Sequence, residues 1–98
     1  MSSGKFSVTQ TPAFSRLLKK LKKQEKKVLD SEVRKILENP EIGELKKGNL
    51  AGIRVHKFKI NKQLLLLSYS EAEERILLIM IGSHENFYRD LHNYLNKP

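Results

Sequence analysis

The sequence predicts an α+β domain in the order β-α-α-β-β-β-α, with a helical hairpin packed on a mostly antiparallel sheet. Three observations carry that prediction. The first forty residues hold two apolar stripes at helical spacing, closed by Asn39-Pro40. Residues Ile53 to Ile81 hold three strand-like runs separated by short turns. A last helical stripe follows Gly82. The 98 residues make one domain, residues 1–98, with a modest core.

The elements follow in order. Residues 5–9 alternate apolar and polar and read as a short first strand. Thr11-Pro12 reads as a helix start, with Thr11 as N-cap and Pro12 in the first helical position. Phe14, Leu17, Leu18 and Leu21 then form one stripe on a helix of about residues 12–23. Gln24–Lys27 interrupts the pattern, and Leu29, Val33, Ile36 and Leu37 resume it to about Glu38. Two helices joined this tightly predict an antiparallel hairpin. Pro40, Gly43, Gly48 and Gly52 mark residues 40–52 as irregular.

From Ile53 the character changes to strand. Ile53–Ile60 is expected to pair with Gln63–Ser70 across an Asn61-Lys62 turn, where Asn suits a positive φ and Lys does so less well. Leu64–Leu67 is apolar on both faces, as in a central strand covered on both sides. Glu71–Glu74 reads as a charged turn and Arg75–Ile81 as the next buried strand. Gly82 ends that strand. Ser83 is expected to cap a last helix whose stripe is Phe87, Leu91, Tyr94 and Leu95. The helices are expected to gather on one side of the sheet.

Composition narrows the function. The chain has no cysteine, which removes disulfides, thiolate metal sites and cysteine nucleophiles. Met1-Ser2-Ser3-Gly4-Lys5 has no apolar stretch behind it, so no signal peptide, a soluble protein and a cytoplasmic location are expected. The longest apolar runs are far too short to span a bilayer, and no membrane partner is expected. The formal charge is +8, which calls for an anionic partner. The lysines cluster. Lys19, Lys20, Lys22, Lys23, Lys26 and Lys27 crowd the helices, a pattern that by itself describes a solvated face. Lys46, Lys47, Arg54, Lys57, Lys59 and Lys62 crowd the strand region.

Side chains alternate along the Ile53–Ile60 strand. Arg54, His56 and Phe58 point one way and Val55, Lys57 and Lys59 the other. The Arg54–His56 face is taken as functional. At the end of the sheet Ile81-Gly82-Ser83-His84 leads from strand to helix, where His84, Tyr88 and His92 fall at i, i+4 and i+8 on one helical face. A histidine titrates near neutral pH and serves as general acid or base. A tyrosine moves a proton or stacks on a base. Two histidines eight residues apart, with no carboxylate at ligand spacing, do not make a metal site, and no metal or other cofactor is expected. Cutting RNA without metal needs a base for the 2′-hydroxyl, cations for the crowded phosphate and an acid for the leaving oxygen. Arg54, His56, His84 and Tyr88 form such a set if they converge. Gly-rich phosphate loops and nucleophile elbows are absent, and no carboxylate pair stands in a convincing setting.

Order, length and basic character resemble the RelE/ParE toxins of bacterial type II toxin–antitoxin systems. The stretch Leu45-Lys46-Lys47-Gly48-Asn49-Leu50-Ala51-Gly52-Ile53-Arg54-Val55-His56 is similar to the family's leucine, basic residue, glycine and basic strand. Ile79-Met80-Ile81-Gly82-Ser83-His84-Glu85-Asn86-Phe87-Tyr88-Arg89 is similar to its apolar strand, glycine, basic residues and tyrosine. The resemblance implies a RelE/ParE-like fold and a toxin restrained by a cognate antitoxin encoded beside it, expected to be acidic. RelE-like members cut messenger RNA on the ribosome, whereas ParE-like members poison DNA gyrase. For an mRNA interferase the resemblance assigns Arg54 and His56 to basic strand positions, His84 to a position two after the glycine that is usually arginine, and Tyr88 to an active-site tyrosine. Where RelE-like members carry an arginine early in the next strand, this chain has Gln63-Leu64-Leu65. Lys46, Lys47, Lys57, Lys59 and Arg89 are expected to bind RNA phosphates.

Overall fold

The structure, a computed structural model, describes residues 6–50 and 52–96. Lys5 of the expected first strand, the Met1–Lys5 segment and Ala51 of the glycine motif lie outside the described residues. The chain runs β1 (Ser7–Gln10), α1 (Pro12–Lys19), α2 (Lys23–Glu38), β2 (Glu44–Leu45), β3 (Arg54–Ile60), β4 (Gln63–Ala72), β5 (Arg75–Ser83) and α3 (Phe87–Leu95). Short 3₁₀ turns at Pro40–Ile42 and Gly48–Leu50 flank β2. The five strands form one sheet in the order β1-β5-β4-β3-β2. Among the described residues only the β1–β5 pairing is parallel. Among the described residues no helix is long and apolar enough to cross a membrane.

Local chemistry explains the boundaries. Thr11 takes an extended backbone, its hydroxyl accepts the Phe14 N–H (3.0 Å) and donates to the Ile79 carbonyl (2.7 Å), and Pro12 opens α1. One side chain thus caps a helix and pins it to the sheet. The Gln24–Lys27 stretch is not a break. It forms the first turn of α2, with the Glu25 carboxylate accepting the Lys22 N–H at 2.7 Å. Its residues are polar because that turn faces solvent, and α1 accordingly ends at Lys19 rather than near residue 23. Asn61 and Lys62 both have positive φ, 51° and 72°, as a tight hairpin turn requires. Lys62→Gly should therefore stabilise the fold by about 0.5–1 kcal/mol, read as a higher urea midpoint at unchanged slope.

The core has two layers, one on each face of the sheet. Under the hairpin, Phe14, Leu29 and Ile36 pack on Phe58, Ile60, Leu67, Tyr69, Ile76 and Ile81. On the other face Phe87 and Leu91 of α3 pack on Val55, Leu66, Ile79 and Met80. The helices therefore divide between the faces, against the expectation of one side. The doubly apolar Leu64–Leu67 run already implied a second cover, and α3 supplies it. A register shift between Ser68 and Tyr69 in the β4–β5 pairing lets both faces of β5 stay apolar around it. The last helix also starts later than expected. Ser83 belongs to β5, His84–Asn86 form a turn, and α3 begins at Phe87. His84 and Tyr88 therefore do not share a helical face.

Candidate functional site

Register decides which side chains can meet. Arg54 pairs opposite Tyr69, and His56 opposite Leu67, so both lie on the hairpin side of β3. His56 is 8% exposed. Its Nε2 lies 2.7 Å from Oε1 of Glu32 on α2, and its ring stacks on Phe58 at 5.8 Å. Lys35 contacts the other Glu32 oxygen at 3.1 Å. Burial pushes the Glu32 carboxyl up, but the hydrogen bonds with His56 and Lys35 outweigh it and leave the group below its ordinary value. Arg54 donates from Nη1 to the Gly43 carbonyl at 2.8 Å, while the Tyr69 hydroxyl accepts the Gly43 N–H at 2.9 Å and donates to the Pro40 carbonyl. Arg54 and His56 thus tie β3 to the Pro40–Gly43 turn and to α2. They do not converge with Tyr88, because a strand sends alternate side chains to opposite faces.

The other face carries a different set. Lys57 and Lys59 of β3 are exposed there, with Glu44 of β2 standing opposite Val55. Lys46, half-buried, sits between the sheet and α3. Its Nζ lies 3.1 Å from Glu44 Oε1 and 5.2 Å from the centroid of the Tyr88 ring. Tyr88, half-buried, meets Phe87 edge-on at 5.3 Å. The Tyr88 hydroxyl, and then the Glu44 carboxylate, hold the Lys46 ammonium above its ordinary value. The hydrogen bond and charge of Lys46, with the charge of Lys57, hold Glu44 below its own. Glu44 therefore stays ionised at neutral pH as an exposed acceptor beside two cations, Lys46 and Lys57. Sequence reasoning passed over it, since residues 40–52 read as irregular. The available signal was its spacing: two residues before Lys46 in an extended stretch shares a face.

The remaining residues spread outward. Lys47 is exposed, and Arg89 on α3 is exposed with its Nε 3.6 Å from Asp90. His92 faces solvent beside Asn96. His84, exposed in the turn before α3, lines an open cleft of about 330 Å³ with Gln63, Leu64, Ser83 and Glu85. Among the described residues no three His, Cys, Asp or Glu stand close enough to hold a metal ion.

The decisive comparison is with protein families. A family model described as the ParE-like toxin of type II bacterial toxin–antitoxin systems matches residues 8–92. The chain belongs to that family. The toxin's fold is shared with the chain matched in the intact E. coli RelBE toxin–antitoxin complex, at TM-score 0.66 and 20% identity over 82% of this chain and 98% of that one. It is shared with a doubly substituted E. coli toxin RelE in the free state, at TM-score 0.69 and 17% identity over 90% of each chain. A conserved hypothetical protein of Helicobacter pylori also aligns, at TM-score 0.57 and 21% identity, over 81% of this chain and 94% of its own. No curated protein matches the sequence.

Proposed function

We propose that the toxin is an mRNA interferase, a metal-independent endoribonuclease that stops translation by cutting messenger RNA. The observation that carries this reading is the grouping of Glu44, Lys46, Lys57 and Tyr88 on the sheet face beside α3, with Lys59 farther along the same strand. The chemistry follows from the groups. The ionised Glu44 takes the proton of the 2′-hydroxyl, whose oxygen attacks the adjacent phosphorus. Lys57 and Lys59 bear on the crowded, doubly charged phosphate. The bond to the 5′-oxygen breaks, Tyr88 protonates that oxygen, and the products are a 2′,3′-cyclic phosphate and a 5′-hydroxyl. Lys46 lies against Tyr88 and stabilises the phenolate left behind. His84 stands at the cleft end of the same face, next to the strand row that holds Lys59, and Lys47 and Arg89 add phosphate contacts. Arg54 and His56 serve the scaffold in this reading.

The cognate antitoxin is the expected protein partner, as the fold's likeness to a chain of the RelBE complex supports. A toxin of charge +8 suits an acidic segment that orders on binding. A messenger RNA target on the ribosome assigns the toxin to the cytoplasm. His84→Ala with Tyr88→Ala should abolish growth arrest while thermal unfolding stays within a few degrees of the unsubstituted chain. Full arrest by a folded double variant would sink this assignment.

The ParE name of the matching family favours one second reading, a non-enzymatic inhibitor of DNA gyrase. Inducing the toxin without its antitoxin separates the two. The interferase stops amino-acid incorporation before plasmid supercoiling changes, and a gyrase inhibitor does the reverse.

A further inference from the structure

The cleft beside His84 has a composition that phosphate chemistry does not explain. It forms where β4 begins and β5 ends, with Leu65 paired opposite Ser83. Leu64 stands directly opposite Lys59 and shares its face. Paired positions of this kind bring side chains within about 5 Å. The cleft therefore adjoins the lysine that ends the cationic row on β3. Its floor includes the half-buried Leu64, and its rim holds Gln63, Ser83, His84 and Glu85. Among the described residues none of those four polar side chains makes a hydrogen bond or ion pair within the protein. A carboxylate beside a phosphate-binding row opposes phosphate binding, so Glu85 suits a different group of the same ligand.

We propose that this cleft reads one nucleobase of the single-stranded RNA held along Lys57 and Lys59, and selects an amino-bearing base (guanine, adenine or cytosine) against uracil. The inference rests on the reading of the lysine face as an RNA site. Leu64 offers an apolar surface to the face of a base. The Glu85 carboxylate only accepts hydrogen bonds, so it pairs with an exocyclic amino group. Uracil sets two carbonyl oxygens around a single N–H, and a carbonyl turned toward Glu85 meets like charge and finds no donor. The Gln63 amide both donates and accepts, so it orients a base without choosing one. Discrimination therefore lies in Glu85 and stacking in Leu64.

The test measures binding apart from cleavage. The Tyr88→Phe chain is titrated into fluorescent hexauridine and into hexamers carrying one adenine, cytosine or guanine at each position in turn. The proposal expects about tenfold tighter binding when the amino-bearing base occupies one particular position. Glu85→Gln, whose amide can donate to a uracil carbonyl, should bring hexauridine to within about twofold of the others. Leu64→Ala should weaken every hexamer that carries the preferred base, with smaller loss for hexauridine. If Glu85→Gln tightens all hexamers equally, Glu85 acts only through its charge and the proposal fails while the RNA site stands. A preference untouched by either substitution overturns it likewise. Failure of the Tyr88→Phe chain to bind any hexamer overturns both this inference and the ribonuclease reading.

Discussion

Alanine at both Lys57 and Lys59 should abolish growth arrest and lower the proposed RNA cleavage at least about 100-fold, without loss of fold. The magnitude follows from what the two ammonium groups face. Removing one donor aimed at developing charge in a transition state typically costs about 10²–10³ in rate. The two lysines are exposed and unpaired among the described residues, so deleting them leaves no buried partner behind. Stability should therefore change by no more than about 0.5 kcal/mol. Binding carries a second signature. The slope of log affinity against log salt should flatten by about 0.7 for each lysine lost on single-stranded RNA. Circular dichroism and the urea midpoint check the fold, and a gel-based cleavage assay checks the rate. Undiminished arrest by a folded variant would remove this face from the mechanism.

His56→Ala should destabilise the toxin by about 2–4 kcal/mol, because it strips Glu32 of its imidazole partner at the interface of α2 and β3. Lys35 remains on the other carboxylate oxygen, which places the loss below that of a fully orphaned charge. The informative variant is the double one. His56→Phe with Glu32→Leu replaces the polar pair by apolar groups under the hairpin and should recover most of the loss, with growth arrest retained. A stable double variant that no longer arrests growth would show His56 in the chemistry after all. The same pair sets an acid limit. Glu32 titrates below its ordinary value of 4.5 in the folded chain, so its contribution is complete above that value. It is lost as pH falls through the depressed folded value. Melting curves from pH 6 down to about pH 3 should therefore fall more steeply for the unsubstituted toxin than for the double variant.

Apart from the two-residue β2, the element order was legible because the elements obeyed local rules. Thr11-Pro12 caps and opens α1, Asn39-Pro40 closes α2, and Asn61-Lys62 turns between β3 and β4. Local rules also explain the misplaced boundaries. A charged first turn of α2 has no apolar period to detect, and a serine before a helix looks like a cap even when the strand runs through it. The site was harder to read because β3 is apolar on both faces. His56 and Phe58 alternate with Val55 and Lys57, and only the packing shows that α2 covers the His56 side while α3 covers Val55 and leaves Lys57 and Lys59 exposed. A histidine and an arginine drew the functional reading to the covered face. The lysines, which look like ordinary solvated charges in a basic chain, stand on the part of the other face that α3 leaves exposed. Glu44 escaped notice for a related reason: its strand is two residues long and exists through pairing with β3, a contact that no local pattern encodes.

The most direct test of the central claim is to map RNA ends in cells that express the toxin without its antitoxin. The account predicts new cuts within translated messages, each with a 2′,3′-cyclic phosphate on one side and a 5′-hydroxyl on the other. They appear before any change in DNA supercoiling and are absent when Lys57 and Lys59 are alanine. Intact messages in growth-arrested cells, with supercoiling lost first, would contradict it.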